Sequence, residues 1–319
     1  MTQKPSLFLH LPVHKTGSTA LQKALFVNEE RLNESRFTYL PRFTHDLQHD
    51  AMSMKAGKEL RTLLSTMRGA AGSRSVLLST EKIHLLEDDL IRDFLAAVTE
   101  VFADYDIKVV VYLRRQDDAF SSFYNQIVKF GTITATVAQA FAKYERFFNY
   151  ERYLRLMRAS LREEDDLVTR VYNRATLVDR DIVADFLQVI GLDIDLPNWQ
   201  SPVVNQSLEK SVFKLKLAMN HHLDGSPPEL IQGLAGLMAD VSSQINKGNP
   251  DTNVLSGLER DLIMERYTAS NRWVQEQFLS GASLSAEEKS EVEYESSFEA
   301  VLPAVLGRMS RYFFHIAKT

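Results

Sequence analysis

An α/β fold, with a central and mainly parallel sheet flanked by helices, is predicted by three observations. Strand-like runs alternate with helix-period segments over roughly the first 200 residues, the signature of strand–helix–strand units. One run, KVVVYL at 108–113, is nearly all apolar, as expected of a strand buried on both faces. Beyond Gly191 strand signals fade and the remainder has helical periodicity, which predicts a helical C-terminal extension packed on the sheet.

The predicted strands are 7–11, 37–40, 75–79, 107–113 and 167–172, each a short run rich in apolar residues between polar segments. Helical periodicity fills the intervals at 18–31, 51–67, 86–102 and 117–129, and returns at 228–244, 258–278 and 299–316. Pro303 falls in the first turn of the last of these, where a proline is tolerated. DGSPPE (224–229) and NKGNPDTN (246–253) have turn composition. There is no internal repeat and no break in composition, so residues 1–319 are expected to form one domain, with 1–200 as the α/β core and 201–319 as the extension.

Composition narrows the functional classes. Hydrophobic residues make up 45% of the 319, enough for a sizeable core without staples. Cysteine is absent, which excludes disulfides and thiolate chemistry and leaves histidine and carboxylates as the candidate metal ligands. A net charge of −5 argues against a nucleic-acid surface, while leaving room for a local basic pocket. No apolar run approaches the roughly 18 residues of a membrane span. Pro12, His14 and Lys15 interrupt the first apolar run, unlike a secretory leader, so a soluble cytoplasmic protein is expected.

The stretch LFLHLPVHKTGSTALQKAL (7–25) joins the first strand to the first helix through His14, Lys15, Thr16, Gly17, Ser18 and Thr19. In an open α/β sheet, ligands sit beyond the carboxyl ends of the strands. A helix head there offers free N–H groups and a positive dipole end. Gly17 would admit a close backbone approach, Lys15 a mobile charge, and the three hydroxyls further donors. That chemistry suits a phosphate or phosphosulfate; the alternative is a plain helix cap beside a solvated lysine. The order differs from G-x-x-x-x-G-K-[ST], because lysine precedes glycine and the upstream glycine is missing. No strand ends in an aspartate placed to hold Mg²⁺ in the usual nucleotide-hydrolase manner.

A second candidate anion site follows the fourth strand, in YLRRQDDAFSSFY (112–124). Arg114 stands at the strand end and Ser122 eight residues later, early in the next helix. Together they could grip one phosphate, the arginine through its bidentate fork. The competing reading pairs Arg114 with Asp117 or Asp118 and leaves Ser121 and Ser122 as ordinary helix serines.

The two sites together resemble the sulfotransferase family that uses 3′-phosphoadenosine-5′-phosphosulfate (PAPS). HKTGSTALQ (14–22) is similar to that family's 5′-phosphosulfate loop, K-[ST]-G-[ST]-[ST]. The Arg114…Ser122 pair is similar to its 3′-phosphate motif. YNQIVKFG (124–131), the stretch 170–193, NQSLEK (205–210) and ERYTASNRWVQEQF (265–278) resemble bacterial members of the carbohydrate, heparan-sulfate-like branch. The resemblance implies a P-loop-like fold. It implies that Lys15 to Thr19, with His14, hold the 5′-phosphosulfate and that Arg114 and Ser122 hold the 3′-phosphate. It also implies a glycan or glycoconjugate acceptor, with no metal required. Pro12, Gln116 and Asn173 depart from the family's usual glycine, proline and glutamate.

Sulfuryl transfer needs charge stabilisation at the bridging oxygen, which falls to Lys15, and a base for the acceptor proton. Two sources of a base are open. Glu81, in VLLSTEKIHLL (76–86), lies just past the third strand. His45 and His49, four apart, would share a helical face and titrate near neutrality. Either pair of readings has a bland counterpart: Glu81 as a helix cap or partner of Lys82, the histidines as surface groups or a two-histidine metal site with Asp46 or Asp50. Lys82, Arg115, Asn125, Gln126 and Lys129 are further candidates for the cleft lining, and Trp199 for stacking on adenine. Two other functions compete: a nucleotide-dependent small-molecule kinase on the same scaffold, and a catalytically inactive nucleotide-binding module.

Overall fold

The computed structural model describes residues 4–39, 49–192, 207–245, 252–284 and Pro303. Two compact units are woven from the chain. The first holds the sheet, with strands β1 (Ser6–His10), β2 (Phe37–Tyr39), β3 (Ser75–Ser79), β4 (Asp106–Leu113) and β5 (Asp166–Val171). All five run parallel, in the order β2-β3-β1-β4-β5. The sequence predicted each strand to within a residue or so at its ends. The sheet is the α/β architecture expected from the alternating pattern.

Alternation along the strands makes three layers. Leu7, Leu9, Val76, Leu78, Val109, Val111 and Leu113 face one side. There they pack on α3 (Gly57–Ala71), α4 (Asp88–Val101), α7 (Tyr150–Ser160) and α12 (Thr268–Phe278). Phe8, Leu77, Val110 and Tyr112 face the other, against α1 (Ser18–Val27), α2 (Glu29–Glu34) and α8 (Ile182–Val189). Residues buried on both faces explain why β4 is read from sequence as a continuous apolar run. Asp185 is fully buried on the second side, where it accepts from Tyr112 Oη at 2.7 Å and from Arg170 Nε at 3.0 Å, tying α8 to two strands.

The second unit is helical. It contains α5 (Gln116–Phe130), α6 (Val137–Tyr144), α9 (Lys210–Asn220), α10 (Pro228–Ile245) and nearly all of α11 (Gly257–Arg266). Asn125 on α5 exchanges two hydrogen bonds with the backbone of Leu208, at 2.8 and 2.9 Å. The buried ammonium of Lys216 on α9 donates to the carbonyls of Val128 and Gly131, both at 3.0 Å, and to Asn220 Oδ1. It thus closes the carbonyl end of α5. The units interleave along the chain: α5 and α6 group with the later helices, and α12 groups with the sheet.

Several helices differ from their predicted spans. The one predicted at 18–31 is two, broken at Asn28, whose side chain turns back to donate to the Ala24 carbonyl at 2.7 Å. The one at 51–67 is a 3₁₀ turn, Asp50–Met54, then α3, because Lys55 is extended. The one at 86–102 begins two residues later, with Asp88 and Asp89 in its first turn. The one at 258–278 is two, divided at Tyr267. That at 299–316 lies outside the described residues save Pro303. No helix among the described residues is long and apolar enough to cross a membrane.

Candidate functional site

The order β2-β3-β1-β4-β5 puts the chain's change of direction at β1, whose neighbours β3 and β4 leave it on opposite sides. The crevice beyond the carboxyl ends of these strands is where an open α/β sheet receives ligands. The loop 11–17 from β1 to α1 lies there. Leu11 N–H donates to the Val110 carbonyl at 3.0 Å, which continues the β1–β4 ladder into the loop. Thr16, fully buried, donates its hydroxyl to the Val13 carbonyl at 2.9 Å and folds the loop on itself.

Two residues of this loop have left-handed backbones. Gly17, the residue before α1, has φ +77°; Lys15 has φ +69°. The first suits a glycine, and the space there demands one: a Cβ on Gly17 would stand 2.9 Å from Cε2 of Tyr172. The second is a strained conformation for a side-chain-bearing residue, of the kind that surrounding structure must hold. Arg114 holds it, donating Nη1–H to the Lys15 carbonyl at 3.1 Å. Arg114 is itself fixed by Tyr150, whose hydroxyl donates to the Arg114 carbonyl at 2.6 Å, and its guanidinium lies 5.9 Å from the Tyr172 ring. Ala20 and Leu21 N–H donate to the Gly17 carbonyl at 3.0 and 3.1 Å, so the N–H groups of Ser18 and Thr19 precede the first bonds of the helix, and the positive dipole end of α1 forms a cradle beside Lys15.

A carboxylate meets this cradle. Glu81, two residues past β3, accepts a hydrogen bond of 2.5 Å from Ser18 Oγ. Of the three hydroxyls singled out in the sequence, Thr16 turns inward, Ser18 engages Glu81, and Thr19 lies half-buried in the first turn of α1. His14 packs edge-on against His84, ring centroids 4.5 Å apart. Burial, with Lys15 adding to it, pushes His14 down to about 4, and burial followed by its neighbour His14 pushes His84 well below its ordinary value. Both rings are therefore neutral at pH 7.

His49 is fully buried. Its Nδ1 accepts from the Ser79 N–H at 3.0 Å, and its own N–H donates to the Ser79 carbonyl at 2.8 Å. His45 and Trp199 lie outside the described residues. Ser122 is on α5 in the helical unit, and Arg114 in the sheet unit. Asp117 and Asp118, the alternative partners for Arg114, accept instead from Arg260 on α11, at 2.7 and 3.3 Å. Among the described residues, no group of three or more histidines and carboxylates is placed to hold a metal ion.

Of the residues singled out in the sequence, the structure brings the loop, Arg114 and Glu81 together. Sequence reasoning missed Tyr150 and the side chains of His10, Gln22 and Ser79 behind the loop. His10 and Ser79 occupy polar positions inside otherwise apolar strands, FLH and LLS, and that was the available signal.

No family model matches the chain. An uncharacterized protein of Archaeoglobus fulgidus is 28% identical over 123 residues, which are 38% of this chain and 33% of that relative, so the match spans about a third of its length. The solved structure of a sulfotransferase from Alicyclobacillus acidocaldarius aligns over 72% of this chain and all of its own, with a TM-score of 0.41 and 16% identity.

Proposed function

We propose that the protein is a PAPS-dependent sulfotransferase acting on a hydroxyl or amine of a glycan or glycoconjugate. The observation that carries the reading is the Ser18–Glu81 hydrogen bond at the head of α1, which sets a proton acceptor beside an anion loop that already has its lysine. In this reading the acceptor oxygen or nitrogen attacks sulfur, the bond from sulfur to the bridging phosphate oxygen breaks, and the acceptor's proton passes to Glu81. Lys15 and the α1 head neutralise the charge that builds on the leaving phosphate. Sulfuryl carries less charge than a terminal phosphoryl group, so a lysine and backbone amides suffice without a metal. The 3′-phosphate falls to Arg114 and Ser122, as the resemblance implies. Glu81 is favoured as the base over His49, whose Nδ1 is engaged by the backbone of Ser79.

One observation favours a second reading. A hydroxyl at the start of the helix after the phosphate loop, bonded to a carboxylate just past the neighbouring strand, is also the pair with which nucleotide phosphotransferases hold Mg²⁺. Calorimetric titration with 3′-phosphoadenosine 5′-phosphate (PAP), and separately with ATP and Mg²⁺, decides between them. The expected result is micromolar-class binding of the former without metal and weak binding of the latter; tight, Mg²⁺-dependent ATP binding would replace the sulfotransferase with a kinase. Failure to bind either leaves the site without a nucleotide function.

A further inference from the structure

We propose that Ser79 is a positioning hub, through which His10, Gln22 and His49 fix the direction of the Glu81 carboxylate. The inference rests on the reading of Glu81 as the base. Every polar group of Ser79 is engaged. Its hydroxyl accepts from Gln22 Nε2 at 2.9 Å and meets His10 Nδ1 at 2.8 Å. The amide donates, and the ring tautomer of His10 decides which way the second bond of the hydroxyl runs. Burial pushes His10 down to about 3, so the ring is neutral and able to accept. On the backbone, the N–H and carbonyl of Ser79 are both taken by His49. The reason is topological. β2 ends at Tyr39, opposite Leu77, and His49 satisfies the β3 edge two residues further on.

The consequence falls on Glu81. Thr80 N–H donates to the His10 carbonyl at 3.1 Å, the last rung of the β1–β3 ladder, and Glu81 is the next residue. Helix α1 is pinned to this stretch twice along one face, by Ser18 to Glu81 and by Gln22, one turn on, to Ser79. Two bonds, four residues apart on α1 and two apart along the chain where β3 ends, leave the carboxylate little freedom relative to the loop. The network also carries a cost that simple packing would not: among the described residues, His10 Nε2 and Gln22 Oε1 are buried without hydrogen-bond partners. Buried polar atoms without partners are destabilising, and their retention points to a constraint other than stability.

The test reads the carboxylate itself. Carbon-13 NMR titration of Glu81, assigned with Glu81→Gln, is run on the wild type, Gln22→Met, Ser79→Ala and the control Tyr112→Phe, which removes a buried hydroxyl bonded to Asp185 instead. The charged and ring groups beside Glu81 in the chain and the loop, Lys15, Lys82, His14 and His84, are kept throughout. The expected result is a change of about threefold or more in the proton affinity of Glu81 in Gln22→Met and Ser79→Ala, and none in Tyr112→Phe. Folded variants with lowered melting temperature and an unchanged Glu81 titration would reduce the network to scaffolding and overturn the proposal. Should Ser79→Ala fail to fold, the near-isosteric Gln22→Met decides alone. PAP binding by the wild type is scored separately, so loss of the enzymatic reading and loss of the hub are distinguishable.

Discussion

Arg114 Nη1 donates to the carbonyl oxygen of Lys15 at 3.1 Å, so the end of β4 braces the one strained side-chain-bearing residue of the β1–α1 loop. Arg114→Ala removes the brace as well as a positive charge. We expect PAP affinity to fall by about 10- to 100-fold, as for loss of a charged hydrogen bond. Arg114→Lys, which lacks the fork, should recover little of it. Unchanged affinity in Arg114→Ala would remove the residue from the anion site.

Lys15 carries two separable burdens, a charge and a left-handed backbone. Lys15→Ala and Lys15→Gly should both abolish sulfuryl transfer. They should differ in stability, with the glycine variant higher by about 1 kcal/mol because glycine adopts positive φ without penalty. Equal denaturant midpoints for the two variants would mean that the loop relaxes on losing the side chain.

Gly17 is confined by its own φ of +77° and by the Tyr172 ring. Gly17→Ala should cost about 1–2 kcal/mol of stability from the backbone alone and weaken PAP binding at least 10-fold. Pairing it with Tyr172→Ala removes the clash and not the φ, so binding should return only in part. Full recovery in the double variant would place the whole defect in the ring contact.

Acid should destabilise the protein well above the carboxylate range. His10 and His14 bind protons less readily folded, at about 3 and about 4, than unfolded, near 6.5. Between those values the unfolded chain holds more protons, so stability rises with pH from about 4 to 6.5 and levels above it. Urea midpoints at pH 7.0, 5.5 and 4.5 should fall in that order. His10→Phe, lacking the fully buried titrating ring, should show a shallower fall.

In the helical unit, Lys216→Met keeps the stem and deletes the ammonium under the carbonyl end of α5. Val128 keeps a donor in Asn220 Nδ2 at 3.2 Å, so the loss falls on Gly131 and should cost about 1–3 kcal/mol. A thermal midpoint within a degree of wild type would show that water replaces the lysine.

Much of this was legible in the sequence because it is local. Apolar strands of five to eight residues, and a glycine and lysine in one loop, announce themselves within a short window. What was not legible depends on pairs far apart. The breaks at Asn28 and Tyr267 have no proline or glycine to mark them. Helix α6 was overlooked although Thr136 and Gln139 form a capping box at its start, a pattern visible in the letters TVAQ. The Ser79 network joins positions 10, 22, 49 and 79, and only the sheet order brings β1 and β3 side by side. Arg114 had aspartates three and four residues away as obvious mates. The tertiary fold gave them to Arg260 instead.

The weaving of the chain between its two units has a consequence for synthesis. The apolar side of the sheet that carries Leu9 and Val111 is completed by Val274, Leu279 and Leu284, which leave the ribosome long after the strands they cover. A nascent chain halted after α10 would present that surface bare. Truncation from the C-terminus should therefore yield aggregates rather than a trimmed, folded α/β core.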